Sequence, residues 1–374
     1  MKKLLTTLLT ATAVAGSLFA LTSCEAKTYE LALVTDVGDI DDESFNQTSW
    51  EALKDYAEEK KLSYSYYRPT ADSTDARIKS IEQSIKKGAK IVVCPGYLFE
   101  QAIFNVQDKY PDVKFVLLDG TPHNGDYNHK TSKNVVSIIY QEQISGFAAG
   151  YAAVKDGYKK LGFVGGMAVP AVQRFGSGYI QGAEQAAKEM KLTDAELQYY
   201  YAGAFQKTDD ATAKAKGWYA AGTEVIFACG GKVYQSVQEA CENNTSRKWI
   251  GVDVDQHSVD KDRVITSAFK GLRNSVQSAL EIYSANTWED IGGKVFNLGL
   301  NAKLGKVEAK DYVGLPTADA SWGFKTFTKA NYEELLNKIK DGTYTISDST
   351  TAAPKADTIK VTYVSEFAPK AEEK

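Results

Sequence analysis

The sequence predicts an α/β protein built from two similar lobes. Strand-like apolar runs alternate with helical patterns along the chain, which indicates βαβ units and mostly parallel sheets. This alternation completes two sets of about equal length, and a chain of 374 residues is more typical of two domains than of one. We therefore expect two doubly wound, parallel-sheet lobes.

The first lobe is predicted over residues 29–139. Short apolar runs bounded by turn residues predict its strands, and apolar residues at helical spacing predict its helices. Ser44 followed by Gln47 is the pattern of a capping box, which places the start of the first helix near Ser44. The predicted strands are 29–36, 62–67, 90–96, 113–120 and 135–139, and the later helices of this lobe are 73–87 and 98–109.

The second lobe is predicted over residues 140–265 by the same criteria. Its predicted strands are 160–166, 196–202, 223–228 and 248–252, and its predicted helices are 141–155, 173–190, 208–221 and 232–243.

The end of the chain departs from this alternation. It predicts strands at 263–268, 294–300 and 359–364 and helices at 271–286 and 329–340. We expect residues from about 266 to 300 to return to the first lobe and residues from about 301 to 346 to return to the second, followed by a polar linker, the late strand and a tail over 347–374. Several crossings between the lobes would restrict their relative motion to a hinge that closes a cleft.

The first 23 residues have the pattern of an export signal. Lys2 and Lys3 precede an apolar run over 4–20, which is too short and too rich in Thr and Ala for a membrane span. The following Leu21-Thr22-Ser23-Cys24 resembles a bacterial lipobox, which predicts acylation of Cys24 and a linker over 24–28. Cleavage by the ordinary signal peptidase near Ala20 or Ala26 is the alternative. We expect a lipid-anchored protein that faces outside the cytoplasm.

Composition and missing motifs exclude several function classes. The formal net charge is −4 without a basic surplus, so we expect no nucleic-acid partner. There is no Walker A motif, dinucleotide fingerprint or nucleophile elbow, and the three His have no metal-ligand spacing. We therefore expect no catalytic residues, metal or cofactor. Cys94, Cys229 and Cys241 are predicted to be free thiols, the first two buried in strands.

An acidic loop after the first strand is the first candidate for a binding site. In open α/β sheets, ligands bind at the carboxyl ends of the strands. The loop carries Asp36, Asp39, Asp41, Asp42 and Glu43, which would repel phosphate and suit a neutral or cationic ligand. The adjacent Phe45 and Asn46 offer a flat apolar face and an amide. A solvated turn with Phe45 buried beneath the helix is an equally good interpretation of this loop alone.

Other strand ends add polar and aromatic residues to the same edge of the predicted sheets. Each is an ordinary loop residue by itself. Together they could bind a nucleoside, because aromatic rings stack on a base and carboxylates accept hydrogen bonds from ribose hydroxyls. These residues are Asp119, Phe205, Gly230, Gly231, Asp253, Asp255 and Lys270.

Three stretches, 33–47, 251–256 and 265–270, resemble the basic membrane protein family of bacterial lipoproteins, which includes purine nucleoside receptors. The resemblance extends from about Tyr29 to about Tyr344 and implies a type I periplasmic-binding-protein fold in an ABC importer of nucleosides. It implies that Phe45 and Phe205 stack on the base and that Asn46 forms a hydrogen bond to it. It further implies that the remaining ligand contacts come from Asp119, Gly230, Gly231, Asp253 and Lys270, with Asp255 as an alternative to Asp253. Asp36 of the acidic loop is a further candidate.

The sequence thus predicts a monomeric, membrane-anchored binding protein that captures a purine nucleoside and delivers it to permease and ATPase subunits. Two alternatives remain open. A sugar or autoinducer receptor of the same fold would use the same aromatic and acidic residues. A nucleoside hydrolase would use the acidic loop as a metal site, although no second matching cluster accompanies it. A sugar-responsive transcription regulator is excluded by the export signal and by the absence of a helix-turn-helix pattern.

Overall fold

The computed structural model describes residues 28–36 and 38–368. The predicted export segment 1–23 and Cys24 lie outside the described residues. The strands are β1 (Leu31–Val34), β2 (Tyr64–Tyr67), β3 (Ile91–Pro95), β4 (Lys114–Leu118), β5 (Val135–Tyr140), β6 (Lys160–Gly165), β7 (Glu196–Tyr201), β8 (Val225–Cys229), β9 (Lys248–Asp253), β10 (Val264–Lys270), β11 (Lys294–Leu298), β12 (Val313–Gly314) and β13 (Lys360–Tyr363). The α-helices are α1 (Phe45–Lys60), α2 (Thr74–Lys86), α3 (Glu100–Gln107), α4 (Glu142–Lys155), α5 (Pro170–Met190), α6 (Asp209–Ala220), α7 (Tyr234–Cys241), α8 (Leu272–Ser284) and α9 (Lys329–Lys340).

The strands form two separate sheets, which confirms the predicted architecture of two α/β lobes. The first sheet has the order β11-β5-β4-β3-β1-β2, and the second has the order β12-β10-β9-β8-β6-β7-β13. The pairing of β10 with β12 is antiparallel, whereas the other strand pairs of the described chain are parallel. Helices cover both faces of such sheets, and central strands such as β1, β3 and β8 are accordingly buried along their whole length.

The described chain passes between the lobes three times, after β5, after β10 and after β11. We predicted that the first lobe resumes near residue 266, and this boundary is wrong. Strand β10 pairs with β9 from Val264 to Phe269, so the whole strand belongs to the second sheet and the return follows Lys270. The late strand β13 also joins the second sheet, beside β7.

Helices α4 and α5 form the tightest helix contact of the second lobe. A Cβ atom on Gly146 would lie 2.1 Å from the carbonyl oxygen of Phe175, and one on Gly182 would lie 2.0 Å from that of Phe147. Only glycine fits at such an approach. The predicted start of α5 at residue 173 is wrong, because the helix begins at Pro170, whose fixed φ suits a first helical turn.

Helix α1 begins directly after Ser44, where the sequence predicted its start, but its cap differs from the prediction. The carboxylate of Asp42 accepts hydrogen bonds from the backbone N–H groups of Ser44, Asn46 and Gln47, at 2.9, 3.0 and 3.0 Å. The predicted capping box of Ser44 and Gln47 is therefore wrong, because Asp42 supplies the acceptor that the first turn needs. The hydroxyl of Ser44 is left free to reach the other lobe.

The described part of the tail closes one edge of the second lobe. Residues Ile359 and Phe367 are buried in its core, and the carboxylate of Glu184 accepts hydrogen bonds from the N–H groups of Thr358 and Ile359. The carbonyl of Phe367 accepts hydrogen bonds from the side chains of Gln173 and Tyr201. The tail thus packs along α5, from Gln173 in its first turn to Glu184 further along the helix.

Cys94, Cys229 and Cys241 are buried free thiols, as predicted. Over 28–36 and 38–368, no helix has both the length and the apolar character needed to cross a bilayer.

Candidate functional site

A cavity of about 720 Å³, including its open mouth, lies between the lobes at the carboxyl ends of the strands. Residues from both lobes line it, and they include every ligand-site residue that the resemblance implies, except the alternative Asp255. Asp36 and Asp42 of the acidic loop also line it. The lining residues that the sequence predicted are Asp36, Phe45, Asn46, Asp119, Phe205, Gly230, Gly231, Asp253 and Lys270.

Two carboxylates of the acidic loop hold the side-chain amide of Asn46 in place. Both N–H bonds of the Asn46 side chain are used, one to Asp36 Oδ1 at 2.9 Å and one to Asp42 Oδ2 at 3.1 Å. Asp36 Oδ1 also accepts the backbone N–H of Gly38 at 2.6 Å. Burial raises the pKa of Asp36 and raises that of Asp42 to about 6. In this arrangement Asn46 orders the loop, and its predicted hydrogen bond to a base stays a prediction.

Aromatic rings from opposite lobes line the cavity. Phe45 stands at the start of α1 in the first lobe, and Phe205 follows β7 in the second. The ring of Phe205 packs on backbone, since Cβ atoms on Gly166 and Gly230 would lie 2.5 and 3.0 Å from its Cδ1 atom. The φ angles of Gly230 and Gly231, 130° and 51°, lie where glycine is favoured. Gly166 and Gly230 therefore form the seat of the Phe205 ring, while Gly231 lies against the backbone of Phe205.

A buried cluster of charges forms the floor of the cavity. The ammonium of Lys270 lies 2.6 Å from Asp119 and 3.8 Å from Asp253, and both carboxylates line the cavity. Burial raises the pKa of Asp119 to about 6, against the opposing effect of Lys270. Burial alone would lower the pKa of Lys270, but the surrounding carboxylates raise it well above its ordinary value. The lysine is thus held as a cation.

Asp119 and Asp253 occupy matching positions in the two lobes. Asp119 directly follows β4 and Asp253 ends β9, with φ angles of 61° and 65°. A left-handed conformation is uncommon for residues other than glycine, although Asp tolerates it better than most, and such strain clusters at functional sites. Asp255 lies outside the cavity lining, where its carboxylate accepts hydrogen bonds from the Ser321 hydroxyl and the backbone N–H of His257.

Direct contacts join the lobes beside the cavity. The hydroxyl of Ser44 donates to Asp253 at 2.6 Å, and the side chain of Gln256 donates to the carbonyl of Glu43 at 2.9 Å. Lys232 and Asp41 form an ion pair at 2.8 Å. Each contact joins the acidic loop of the first lobe to the second lobe, so the structure shows the lobes closed on each other.

Sequence reasoning missed part of the cavity wall and the residues behind it. Val169, Ala171 and Val172 line the cavity at the start of α5, and the proline at its first position was the signal that could have placed them there. Glu142 and Arg174 form a buried ion pair next to Lys270, without any sequence pattern that marks it. No group of three or more His, Cys, Asp or Glu is placed to hold a metal ion in the described part of the chain.

Comparisons with known proteins agree with this geometry. The Bmp family model matches residues 29–345. This family is described as ABC transporter substrate-binding protein PnrA-like. The chain is 31% identical over 254 residues to the ABC transporter nucleoside-binding protein BmpA of Lactococcus lactis, a match that covers 64% of this chain and 68% of the relative. It is 28% identical over 315 residues to basic membrane protein B of Borreliella burgdorferi, covering 80% of this chain and 86% of the relative.

The fold has counterparts among solved structures. The crystal structure of an ABC transporter solute-binding protein from Aeropyrum pernix superposes with a TM-score of 0.72 at 21% identity, covering 86% of this chain and 94% of that one. This likeness confirms the predicted type I periplasmic-binding-protein fold.

Proposed function

Because the chain belongs to the Bmp family of PnrA-like ABC transporter substrate-binding proteins, we propose that it captures purine nucleosides in the cavity between its lobes. Family membership itself makes the chain a substrate-binding protein that acts outside the cytoplasm with permease and ATPase subunits. It also contradicts the alternative of a nucleoside hydrolase, because members of the family are not enzymes.

One observation supports the ligand class above all others: Phe45 and Phe205, from different lobes, line the same cavity as the carboxylates of Asp119 and Asp253. Two rings suit a flat heterocycle, since each stacked ring contributes about 1–3 kcal/mol per base. The carboxylates suit the hydroxyls of a ribose, with about 1.5–3 kcal/mol for a hydrogen bond to a charged group. A nucleoside joins these two parts in one molecule, and the nucleoside-binding relative from Lactococcus lactis supports the same class.

The charges of the cavity argue against nucleotides. Among the described residues, its cations are Lys232 and Lys270, and each is already paired with a carboxylate, at 2.8 and 2.6 Å. Asp36, Asp42, Asp119 and Asp253 add further negative charge. A phosphate would therefore meet carboxylates without a free cation to neutralise it.

Calorimetric titration of the purified protein tests this proposal. We expect guanosine, inosine and adenosine to bind, AMP not to bind, and 2′-deoxynucleosides to bind more weakly because a buried carboxylate loses its donor. Mass spectrometry of small molecules released on denaturation would identify a retained ligand. Tight binding of AMP without nucleoside binding would contradict the proposal, and competition by free ribose or galactose would favour a sugar receptor instead.

We also propose that Cys24 carries the lipid that anchors the protein to the membrane. The lipobox-like Leu21-Thr22-Ser23-Cys24 supports this assignment, and two or more acyl chains give stable anchoring. The wild-type protein is expected in the membrane fraction, and the Cys24→Ser variant is expected to lose acyl chains by mass spectrometry and to leave that fraction. Unchanged mass and membrane association of the variant would contradict acylation at Cys24.

A further inference from the structure

Glu142 is a fully buried carboxylate that stands between the buried ammonium of Lys270 and the partly buried guanidinium of Arg174. One oxygen, Oε1, lies 3.4 Å from the ammonium of Lys270 as an ion pair without a hydrogen bond in the described part of the chain, and the other accepts a hydrogen bond from Nε of Arg174 at 2.5 Å. Lys270 lines the cavity and Glu142 does not, so Glu142 lies on the side of Lys270 that faces away from the cavity. A buried carboxylate is stabilised only when it is paired in this way.

The position of Glu142 in the chain connects it to both lobes. It is the first residue of α4, directly after the first crossing, and Lys270 is the last residue of β10, directly before the second. Arg174 belongs to α5, whose first turn forms a wall of the cavity. The two ion pairs therefore tie the crossing segments to that wall.

We propose that Glu142 is a positioning residue for ligand binding: it holds the ammonium of Lys270 back from the cavity, so that the carboxylates of Asp119 and Asp253 remain acceptors for ligand hydroxyls. This inference rests on the proposed function, because it assigns those carboxylates to the ligand.

The distances show how the ammonium is shared. Its nitrogen lies 2.6 Å from Asp119, 3.4 Å from Glu142 and 3.8 Å from Asp253. The second oxygen of Asp119, Oδ1, is buried without a hydrogen-bond partner in the described part of the chain. Such an oxygen needs a donor, and a ligand hydroxyl can supply it. Without Glu142, the ammonium would be drawn to the two cavity carboxylates alone and would compete with the ligand for them.

The electrostatics of Asp119 provide a readout that a purely structural role would not change. The charge of Glu142 raises the pKa of Asp119 and of Asp253, while burial has the larger effect on each. Removal of that charge therefore lowers the pKa of Asp119, and the carboxylate stays ionised to lower pH. The charged and titratable groups that face Asp119 are Lys270 on β10, Glu142 on α4, Asp253 on β9, Arg174 on α5, Tyr140 on β5 and the buried thiol of Cys229 on β8.

The experiment measures guanosine affinity against pH for wild type, Glu142→Gln, Glu142→Asp and Asp260→Asn. Wild-type affinity is expected to fall as the pH drops through about 6, where Asp119 gains a proton. We call this loss of affinity on acidification the acid limb of the profile. Asp42 of the cavity gains a proton near the same pH, but Glu142 is not among the groups that shift its pKa. Glu142→Gln is expected to bind about tenfold more weakly at neutral pH, and its acid limb is expected at lower pH than that of the wild type. Glu142→Asp keeps the charge and is expected to keep the acid limb near that of wild type. Asp260 is a buried, ion-paired carboxylate of the same lobe away from the cavity lining, so its variant is the matched control.

Unchanged affinity in Glu142→Gln, or weaker affinity with an unmoved acid limb, would overturn this inference. A wild type that binds none of guanosine, inosine and adenosine contradicts the proposed function instead. In that case, the carboxyl ¹³C titration of Asp119 in the ligand-free wild type and in Glu142→Gln, assigned with Asp119→Asn, decides the inference alone. A titration that moves to lower pH in the variant supports the charge coupling, and superimposable titrations overturn it.

Discussion

Replacement of Lys270 by methionine is expected to lower the free energy of unfolding by about 3–5 kcal/mol and to abolish measurable nucleoside binding. The ammonium is 2% exposed and lies within 4 Å of Asp119, Glu142 and Asp253. Without it, three buried carboxylates remain. Glu142 keeps its pairing with Arg174, while Asp119 and Asp253 lose their ion-pair partner. Removal of one partner from a buried ion pair is costly because the remaining charge loses its compensation.

The pH dependence of stability shows whether the uncompensated charge of the buried carboxylates causes this loss. In Lys270→Met the folded-state pKa of Asp119 must rise further above its unfolded value, because the cation that lowers it is gone. The folded state then binds more protons than the unfolded state, so stability is present at low pH and is lost as the pH rises through the folded pKa. Denaturant unfolding should therefore show a smaller loss at about pH 5 than at about pH 8.

Lys232→Met is the matched stability control, because Lys232 is the second lysine of the cavity and is also paired with a carboxylate. Its partner Asp41 is 76% exposed, so the pair is screened by water. Its removal is expected to change the free energy of unfolding by about 0–1 kcal/mol. A Lys270→Met variant as stable as wild type would show that the buried carboxylates are neutral in the folded protein.

The elements that the sequence predicted well are those whose signal is local. Buried strands such as β3 and β8 are continuous apolar runs, and their bounds follow from the turn residues that flank them. The nearness of Asp253 and Lys270 also followed, because the neighbouring parallel strands β9 and β10 end at a common edge of one sheet. Asp119 follows β4 of the other sheet and reaches the same cavity because the strand ends of the two lobes face each other. The lobe boundary near residue 266 failed, because the partner of β10 is decided by sheet packing and not by its own residues.

The parts that the sequence could not predict depend on contacts between distant residues. In the sequence, Glu142 is an ordinary acidic residue at the start of a helix. Its ion-pair partner Arg174 lies 32 residues away and is brought to it only by folding. Ser44 reads as a helix cap, yet its hydroxyl donates to Asp253, which is 209 residues away. Both residues are polar, and the partner of a polar side chain is not encoded by spacing along one element.

Replacement of Phe45 or Phe205 by alanine is expected to weaken guanosine binding by about 1–3 kcal/mol each, or about 5- to 150-fold. Both rings line the cavity, from opposite lobes, and the ring of Phe205 is seated on Gly166 and Gly230. Phe269→Ala is the control, since Phe269 adjoins Lys270 in sequence but lies outside the cavity lining, with its ring against Gly314. Calorimetric titration measures each affinity, and denaturant unfolding shows whether the variant remains folded.

The variants Phe45→Leu and Phe205→Leu distinguish the contribution of ring stacking to affinity from that of apolar volume in the cavity. Leucine keeps an apolar side chain of similar reach but has no flat π-face, so Phe45→Leu and Phe205→Leu should recover only part of the affinity that the alanine variants lose. If both rings hold one base between them, both losses should also appear with free guanine, which has no ribose for Asp119 or Asp253. Full recovery by leucine, or an unchanged affinity for guanine in the alanine variants, would mean that the rings only shape the cavity and that a different part of the ligand lies between them.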